Sequence, residues 1–390
     1  MDPTLATLTA KFTECFGQPP ERYFSAPGRT EIGGNHTDHQ LGRVLAAAVE
    51  LDTRAAVRIN GTDTIRLQSK GYPMCVICLN ELEPKSEEVG TTAALIRGVA
   101  AEFTKFGCNV RGFDAYVTST VLPGSGLSSS AAFEVLIGTI VNALFFGGKA
   151  TAREIAAIGQ YAENVYFGKP CGLMDQMASA VGGLVAIDFS GPEVRPVDFD
   201  FSACGHTLCI IDTGASHADL TGEYAAIPGE LMEISNFFGQ EVLSRVPEAD
   251  FYAALPSLRQ RCGDRAVLRA IHFYRENRRV GLQIDALERR DFDAFLELMK
   301  ESGRSSYMYL QNVIVSGATE NQEVALTLAL CEGLLGGRGA CRVHGGGFAG
   351  TVQAFVPNDL LPNFRSGIEA ILGQGRCHFL SIRSHGGMEL

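Results

Sequence analysis

Tryptophan is absent from this chain of 390 residues, and basic residues are scarce. Lys and Arg number 33 against 44 Asp and Glu, which gives a formal net charge of −11 with His counted as neutral. No run of five or more basic residues occurs. Non-specific binding to nucleic acid needs Lys and Arg in excess to neutralise phosphates. We therefore expect no nucleic-acid partner.

Long apolar runs are also missing. The longest, Phe133 to Phe146, is interrupted by Glu134, Thr139 and Asn142, so it is too short and too polar to span a bilayer. The chain starts with Met-Asp-Pro and shows no basic stretch before an apolar segment, as a secretory signal would. Its 11 cysteines are odd in number and lack the spacing of a disulfide framework. These absences predict a reduced, cytoplasmic protein with no membrane partner. The sequence does not set the oligomeric state, and we favour a monomer.

The composition predicts a folded chain, because apolar residues make up 46% and charged residues only 20%. At roughly 150 residues per domain, the length predicts two or three domains. Strand-like and helix-like segments interleave in both halves, so both should be mixed α and β. The Gly- and Pro-containing stretch Ser190–Pro196 is the best candidate boundary. It predicts an N-terminal domain of residues 1–190 and a C-terminal domain of residues 191–390.

Local patterns predict several elements. Helices are expected at residues 5–16, 128–146 and 284–301, and a further helix should run from a capping box at Thr151–Glu154 to about Phe167. Strands are expected at residues 23–26, 44–49, 184–189 and 206–212, with a strand–turn–strand unit at 339–356. Residues 28–42 are polar and Gly-rich, which predicts a loop.

Glycine, by contrast, is abundant, with 44 residues gathered in clusters. One cluster is Gly124-Ser-Gly-Leu-Ser-Ser-Ser-Ala-Ala132, which leads into the helix predicted at 128–146. Its glycines let the backbone approach a ligand, and a helix N-terminus offers free N–H groups and the positive end of the helix dipole. We interpret it as a phosphate cradle that needs no basic patch. It is not a Walker A loop, because Gly-Lys-Ser/Thr occurs nowhere in the chain.

A second cluster, residues 345–352, matches the pattern G-x-G-x-x-G-x-V. A dinucleotide-binding motif would need a helix after the glycines, but the strand-like residues 351–356 follow. A protein-kinase motif would need a Lys strand, an H-R-D loop and a D-F-G segment downstream, and none follows. Two interpretations stay open: a hairpin of structural glycines, or a glycine wall packed against a ligand.

The segment Asn35-His-Thr-Asp-His39 is unusually rich in polar groups, and three interpretations apply to it. His36, Asp38 and His39 together suggest a metallo-hydrolase, but a zinc signature would want a further His where Gly34 stands. Asp38 alone suits local turn hydrogen bonds. The third interpretation is a polar cup for a hydroxylated small molecule, with Arg29 on the same loop.

Two carboxylates further along have alternative roles. Asp175 lies close to a predicted helix start, and the helix dipole alone strongly favours an acidic residue there. The functional interpretation is a general base held near Arg29. Glu163 falls on a stripe of small residues in the preceding helix and is either solvent-facing or a Mg²⁺ ligand.

Taken in order, these segments resemble the galactokinase family of the GHMP small-molecule kinases. The segment Ala26-Pro-Gly-Arg-Thr-Glu-Ile-Gly-Gly-Asn-His-Thr-Asp-His39 resembles the galactokinase signature, and residues 124–132 resemble the second GHMP motif. Residues 171–176 are similar to the catalytic segment, and residues 344–350 to the third motif. The resemblance implies an α+β GHMP kinase fold. In that fold, two mixed α/β domains hold the active site in the cleft between them, and the N-terminal domain binds sugar and ATP.

The same resemblance implies a sugar 1-kinase that uses ATP and Mg²⁺ to phosphorylate the C1 hydroxyl of a galactose-like sugar. It assigns Asp175 as the catalytic base. Arg29 is its partner, which contacts the sugar, keeps Asp175 ionised and stabilises the moving phosphoryl charge. The remaining matches are Asn35, His36, Asp38, Gly172 and Tyr224 for the sugar, Gly124, Ser125, Gly126, Leu127, Ser128, Ser129 and Ser130 for ATP, and Ser130 with Glu163 for Mg²⁺.

Three positions of the signature depart from the family pattern. Asn35 stands where Glu is usual, Glu31 where Asn is usual and His39 where Tyr is usual. The usual Glu is expected to bind the C6 hydroxyl of the sugar, and it would repel a C6 carboxylate that Asn would tolerate. Galacturonate is therefore an alternative substrate to galactose, although Glu31 could restore a carboxylate nearby. A non-catalytic sugar sensor is a further alternative, but the base, the Arg and the Ser-rich loop are all present.

The nucleotide side also departs from the family. Pro123-Gly-Ser-Gly is one residue tighter than the usual Pro-x-Gly-x-Gly, and residues 92–96 lack the aromatic side chain that often stacks on adenine. The adenine contacts are therefore not assigned.

Overall fold

A computed structural model describes residues 3–121, 126–191, 193–216 and 220–390. Within these ranges the strands are β1 (Arg22–Gly33), β2 (Arg43–Ile59), β3 (Thr64–Ser69), β4 (Met74–Cys78), β5 (Phe113–Ser119), β6 (Leu184–Asp188), β7 (Glu193–Val197), β8 (His206–Asp212), β9 (Ala340–His344), β10 (Thr351–Pro357), β11 (Cys377–Leu380) and β12 (Met388–Glu389). The helices are α1 (Pro3–Phe16), α2 (Thr92–Lys105), α3 (Ser129–Phe145), α4 (Ala152–Tyr161), α5 (Met174–Val181), α6 (Thr221–Phe237), α7 (Glu248–Ala253), α8 (Leu255–Cys262), α9 (Asp264–Glu288), α10 (Phe292–Ser305), α11 (Glu323–Leu335) and α12 (Leu361–Leu372). Short 3₁₀ and π turns connect several of them.

The described strands form two sheets. The first has the order β12-β1-β2-β5-β3-β4, and β6 extends it by pairing with both β2 and β7. The second has the order β11-β8-β10-β9. In the first sheet β3 and β5 pair in parallel, whereas β1 and β2 form a long antiparallel ladder from Arg22 opposite Val57 to Gly33 opposite Leu45.

Strand β2 lies at the centre of the molecule and sends alternate side chains into two different cores. Val44 and Ala46 pack in a core with the helices α2 to α5. Leu45, Ala47 and Val49 pack in a second core with α9, α10 and the second sheet. Because successive side chains of a strand point to opposite faces, one apolar strand can serve both cores. The two halves of the chain therefore pack on opposite faces of the same ribbon.

The mixed α and β content expected of both halves is confirmed. The boundary at residue 190 stays a prediction. Strand β7, just beyond it, pairs with β6 of the first sheet. Strand β12 and Ile382, near the C-terminus, also pair with strands of the first sheet.

Three predicted elements were wrong in extent, and one of them is the strand expected at residues 44–49, because β2 continues to Ile59. Residues 28–33 belong to β1 and not to a loop, because shifts in register between Pro27 and Arg29 and between Glu31 and Gly33 let β1 keep its pairing with β2. The helix expected at residues 284–301 is two helices, α9 and α10. They are separated by a turn in which Arg290 has a positive φ of 58°.

The predicted capping box at Thr151 is confirmed and fixes the start of α4. The Thr151 backbone N–H donates to Glu154 Oε2 at 2.7 Å, and Thr151 Oγ1 accepts from the Glu154 backbone N–H at 3.3 Å. Beyond Tyr161 the helix continues as a π-helical turn, Ala162–Phe167, which ends at Gly168 with φ 81°. This turn positions Glu163 beside the start of α3.

The remaining expectations concern cysteines and membranes. The structure describes all 11 cysteines, and each is a free thiol. Within the described parts of the chain, no helix has both the length and the apolar character needed to cross a bilayer.

Gly98 generates a test of the packing that holds the π-helical turn. A Cβ at Gly98 would lie 2.7 Å from Ala162 Cβ and 2.8 Å from Ala162 Cα. Because backbone cannot easily move away, Gly98→Ala should lower the free energy of unfolding by about 1–3 kcal/mol. Denaturant titration measures this change.

Gly333→Ala in α11 is the matched control, since a Cβ there meets no atom within 4 Å. Helix propensity alone should stabilise that variant by at most about 1 kcal/mol. Equal stability of the two variants would contradict the packing argument.

Candidate active site

The side chains of Arg29 and Asp175 meet in a buried ion pair, 2.7 Å from Nε to Oδ1. Arg29 lies on β1 just after a register shift, and Asp175 lies in the first turn of α5. Arg29 is 6% exposed, while a quarter of the Asp175 side chain stays exposed. The carboxylate is therefore held from the protein side and open on the other.

Residues 126–128 of the predicted phosphate cradle pack directly on this pair. The backbone N–H of Arg29 donates to Leu127 O at 3.0 Å, and Arg29 Nη1 donates to Gly126 O. A Cβ at Gly28 would lie 2.9 Å from Leu127 O, so only glycine permits this approach without a shift. Ser128 Oγ donates to Asp175 Oδ2, which couples the loop to the carboxylate.

Asp175 is held ionised by this arrangement. Burial acts to raise the pKa of its carboxyl group, but the charge and hydrogen bond of Arg29, helped by the Ser128 hydroxyl, outweigh burial. The pKa therefore lies below its ordinary value of 3.8. An ionised carboxylate in this position can accept a proton from a bound hydroxyl group.

The predicted phosphate cradle is described in part. Gly124 and Ser125 lie outside the described residues. Gly126 has φ +70°, Leu127 is fully buried, and Ser128 adopts a left-handed conformation immediately before α3. The residues Ser129 and Ser130 form the first turn of α3, whose backbone N–H groups lack intrahelical partners.

Glu163 is buried beside this turn, so the solvent-facing interpretation was wrong. Its Oε1 accepts from Ser130 Oγ and from Lys169 Nζ, both at 3.0 Å. Its Oε2 accepts from Gln176 Nε2 at 2.8 Å. A carboxylate and a hydroxyl are oxygen donors of the kind that Mg²⁺ takes from proteins, with phosphate oxygens completing the shell. Ser130 Oγ and Glu163 Oε1 lie together at the start of α3 and fit a Mg²⁺ ion by their chemistry, with Lys169 Nζ as the present partner of Oε1.

A second carboxylate, Glu134, lies behind Glu163 and was missed by sequence analysis. Gln176 Nε2 donates to Glu134 Oε2 at 2.9 Å as well as to Glu163, and Glu134 Oε1 has no hydrogen-bond partner within the described part of the chain. Burial, and next the charge of Glu163, raise the pKa of Glu134 well above its ordinary value. The apolar sequence around Glu134 did not indicate a buried carboxylate at the site, because Glu163 and Gln176, with which it interacts, lie 29 and 42 residues away along the chain.

The predicted cup is formed by residues that follow β1, together with the segment before α5. His36, Asp38 and His39 are all partly exposed. A Cβ at Gly172 would lie 2.1 Å from Asp38 Oδ2, so glycine is required for the two segments to meet. Tyr224 approaches from α6, where its hydroxyl donates to Gly347 O at 2.9 Å.

A chain of hydrogen bonds fixes the two histidines. His36 Nε2 donates to Gly346 O at 3.0 Å, and His36 Nδ1 lies 3.3 Å from His39 Nε2. His39 Nδ1 lies 3.5 Å from Gln40 Nε2, whose Oε1 accepts from the Leu243 backbone N–H at 2.9 Å. Burial lowers the pKa of His39 to about 3, so its ring is neutral.

The metallo-hydrolase hypothesis gains no support from this geometry. The structure brings together no group of three or more His, Cys, Asp or Glu residues that could hold a metal ion, as far as the described ranges extend. All four ring nitrogens of His36 and His39 already face Gly346 O, Gln40 Nε2 or the other ring.

Asn35 behaves differently from its prediction as a sugar contact. Its side chain is fully buried. Nδ2 donates to Glu31 Oε1 at 3.2 Å and to Gly345 O at 2.6 Å, while Oδ1 accepts from Ser306 Oγ at 3.2 Å and from Asn312 Nδ2 at 2.9 Å. No hydrogen-bonding group is left for a sugar, and a direct contact by Asn35 is not supported.

Two protein-family models match the segments that contain Arg29 and Asp175. The model described as "Galactokinase galactose-binding signature" matches residues 10–59, and the GHMP kinase N-terminal domain matches residues 94–183. The Streptomyces coelicolor galactokinase is 33% identical over 357 residues, covering 90% of this chain and 88% of its own. The Glaesserella parasuis galactokinase is 31% identical over 382 residues, covering 93% and 92%.

Solved structures share the architecture. The crystal structure of Lactococcus lactis galactokinase complexed with galactose is 25% identical, with a TM-score of 0.86 over 99% of this chain and 100% of that one. A mevalonate kinase with 14% identity and a TM-score of 0.66, over 94% and 100% of the chains, shows the fold alone. Fold and site together define a GHMP kinase, a phosphotransferase of α+β architecture. Within that superfamily the chain belongs to the galactokinase family.

The ion pair between Arg29 and Asp175 predicts a pH-dependent stability in Arg29→Met. In the native protein the Asp175 pKa is depressed, so the pair stabilises the fold above the unfolded pKa of about 3.9 and loses its effect as the pH falls through the lower folded value. Without Arg29, burial raises the folded pKa above the unfolded one. Stability is then lost as the pH rises from about 4 towards the raised value.

Thermal unfolding at several pH values checks this. The Tm deficit of Arg29→Met relative to the unaltered protein should widen as the pH rises from about 4 to about 7. Arg29→Lys keeps the charge and should show little widening. A deficit that stays constant with pH in Arg29→Met would contradict the pairing argument.

Proposed function

We propose that this protein transfers the γ-phosphoryl group of ATP to the C1 hydroxyl of D-galactose, giving galactose 1-phosphate and ADP. The observation that carries the proposal is the contact of Asp175 with both Arg29 and Ser128, which joins an ionised carboxylate to the end of the nucleotide loop. The cup formed by Asp38 and Gly172 lies next to it. The galactokinases of similar sequence and the similar structure complexed with galactose support this substrate.

In the proposed reaction, Asp175 accepts the proton of the sugar hydroxyl as that oxygen attacks the γ-phosphorus. The bond between the γ-phosphorus and the ADP oxygen breaks, and ADP leaves with the bonding electron pair. Arg29 keeps Asp175 ionised and stabilises the negative charge on the attacking oxygen and the transferred group. Phosphoryl transfer of this kind depends mainly on positioning and electrostatic stabilisation, so few residues are required.

The ATP phosphates would lie at the first turn of α3, cradled by residues 124–130. Ser130 and Glu163 would hold Mg²⁺, which neutralises charge on the phosphate oxygens when bound. Lys169 would then release Glu163 Oε1 and keep its positive charge near the phosphates. Its side chain is 60% exposed, so it has room to move.

The charge of the cup favours a neutral sugar over galacturonate. Asp38 and Asp175 both contribute carboxylates, and Arg29, which interacts with both, is already paired with Asp175. Glu31, which stands where the family usually has Asn, is paired with Arg342 at 2.7 Å. A sugar bearing a C6 carboxylate would add a negative charge without gaining an unpaired cation. We also propose a cytoplasmic, monomeric enzyme.

A non-catalytic sensor is less consistent with the site. A sensor has no need to keep Asp175 ionised by a buried arginine and a serine hydroxyl. The intact contacts between these three groups favour turnover.

Asp175→Asn tests the base. The amide cannot accept the proton, so kcat should fall by about 10²- to 10⁴-fold while sugar binding, measured by calorimetry without nucleotide, stays nearly unchanged.

Coupled ADP release measures kcat for galactose, galacturonate, N-acetylgalactosamine and glucose, and galactose should be the best substrate. Near-normal turnover by Asp175→Asn would refute the base, and faster turnover of galacturonate would refute the substrate.

Glu163→Gln tests the metal site. The amide is a weaker ligand, so the Mg²⁺ concentration for half-maximal activity should rise about tenfold or more, whereas sugar affinity without nucleotide should not change. Glu332→Gln, an exposed position in α11, is the matched control and should leave both unchanged. An unaltered Mg²⁺ requirement in Glu163→Gln would exclude Glu163 as a ligand.

A further inference from the structure

The amide of Asn35 is matched on all sides by protein groups. Its two N–H donors face two acceptors, Glu31 Oε1 and Gly345 O. Its oxygen faces two donors, the Ser306 hydroxyl and the Asn312 amide. An amide offers two donors and two acceptor sites, so the hydrogen-bonding capacity of Asn35 is fully used inside the protein.

A glutamate at position 35 would not fit these surroundings. Its side chain is one methylene longer than that of Asn in a fully buried position, and its carboxylate has no donor for the Glu31 carboxylate or the Gly345 carbonyl, which now accept from Asn35. Like charges so close, away from water, repel strongly. Given Glu31, the structure thus calls for an amide at position 35.

Glu31 in turn is fixed by Arg342, which lies on β9 of the second sheet and is fully buried. Arg342 Nη2 donates to Glu31 Oε1 at 2.7 Å and to Glu31 O at 2.8 Å, while its Nε and Nη1 find no hydrogen-bond partner among the described residues. A buried guanidinium needs a carboxylate beside it, because an unpaired buried charge is strongly unfavourable. The unusual residues at positions 31 and 35 therefore belong to one unit.

This unit also holds the cup. Asn35 O accepts from His272 Nε2 at 2.9 Å, and the next residue, His36, has a positive φ of 58° and donates to Gly346 O. The chain around Asn35 is thus attached to α9 and to the glycines that follow β9. His36 and Asp38 follow directly on this anchored backbone.

We propose that Glu31, Asn35 and Arg342 form an interlocked unit that positions the sugar-binding loop, and that Asn35 is a positioning residue which does not bind the sugar. The activity used to test it rests on the proposed function. Loss of Asn35 loosens the loop as a whole, so the enzyme loses affinity for every sugar by the same factor. The side chain at position 35 forms no hydrogen bond with any one hydroxyl group of the sugar.

The test combines Asn35→Ala with deoxy sugars. The ratio of kcat/KM between the unaltered enzyme and Asn35→Ala is measured for galactose and for 2-, 3-, 4- and 6-deoxygalactose. We expect a loss of about tenfold to a hundredfold, as small misplacements of substrate cause, equal within about threefold for all sugars. Most of this loss of kcat/KM should appear as a higher KM for the sugar, and the KM for ATP should change little.

A sugar contact by Asn35 would give a different pattern. The penalty of Asn35→Ala would then disappear for the one deoxy sugar that lacks the contacted hydroxyl, and this result would overturn the proposal. Failure of the unaltered enzyme to phosphorylate galactose would instead refute the proposed function and leave the unit to be tested by stability.

Exchange variants provide that test. Glu31→Asn leaves Arg342 without its paired carboxylate, and Asn35→Glu places two carboxylates together, so both should lower the Tm. The double variant Glu31→Asn/Asn35→Glu keeps one carboxylate and should have a higher Tm than either single variant. A double variant no more stable than the worse single one would overturn the unit, whether or not any variant is active.

Discussion

The buried ion pair between Arg29 and Asp175 is the interaction on which the site depends. It joins the first sheet to α5, and through Gly126 and Ser128 it also fixes the end of the predicted phosphate cradle. A carboxylate removed from water would tend to take up a proton. The arginine prevents this, so a group placed deep enough to meet a substrate remains able to accept a proton from it.

Much of this site could be predicted from the sequence because its parts are local. Three short segments carry the pattern, and each can be recognised from residues that are adjacent in sequence. They are the signature around Arg29, the Ser-rich start of α3 and the segment around Asp175. Gly172, which the resemblance assigned to the sugar, stands where a Cβ would collide with Asp38. The capping box before α4 was likewise readable from four residues.

What could not be predicted depends on partners distant in sequence. Glu31 and Arg342 are separated by 311 positions, and nothing in either segment indicates that they meet. The prediction of Asn35 as a sugar contact took no account of such partners, because Gly345, Ser306 and Asn312 lie 310, 271 and 277 residues away along the chain. The extent of β1 was misjudged in the same way, since its continuation to Gly33 is set by pairing with β2 and not by its own polar, Gly-rich composition.

The acidic composition is compatible with a polyanionic substrate, because two cationic side chains lie at the candidate site itself. Arg29 is buried at the reacting end, and Lys169 lies on Glu163 beside the start of α3. A helix N-terminus adds a partial positive charge without any basic residue. The excess of carboxylates elsewhere in the chain limits only diffuse binding of anions.

The central claim is that Arg29 keeps Asp175 ionised in the resting enzyme. The most direct measurement is the ¹³C chemical shift of the Asp175 carboxyl group as a function of pH, assigned by its loss in Asp175→Asn. The account predicts an ionised carboxylate from neutral pH down to below 3.8, its ordinary pKa. A carboxyl group that takes up its proton near neutral pH while Arg29 is in place would contradict it.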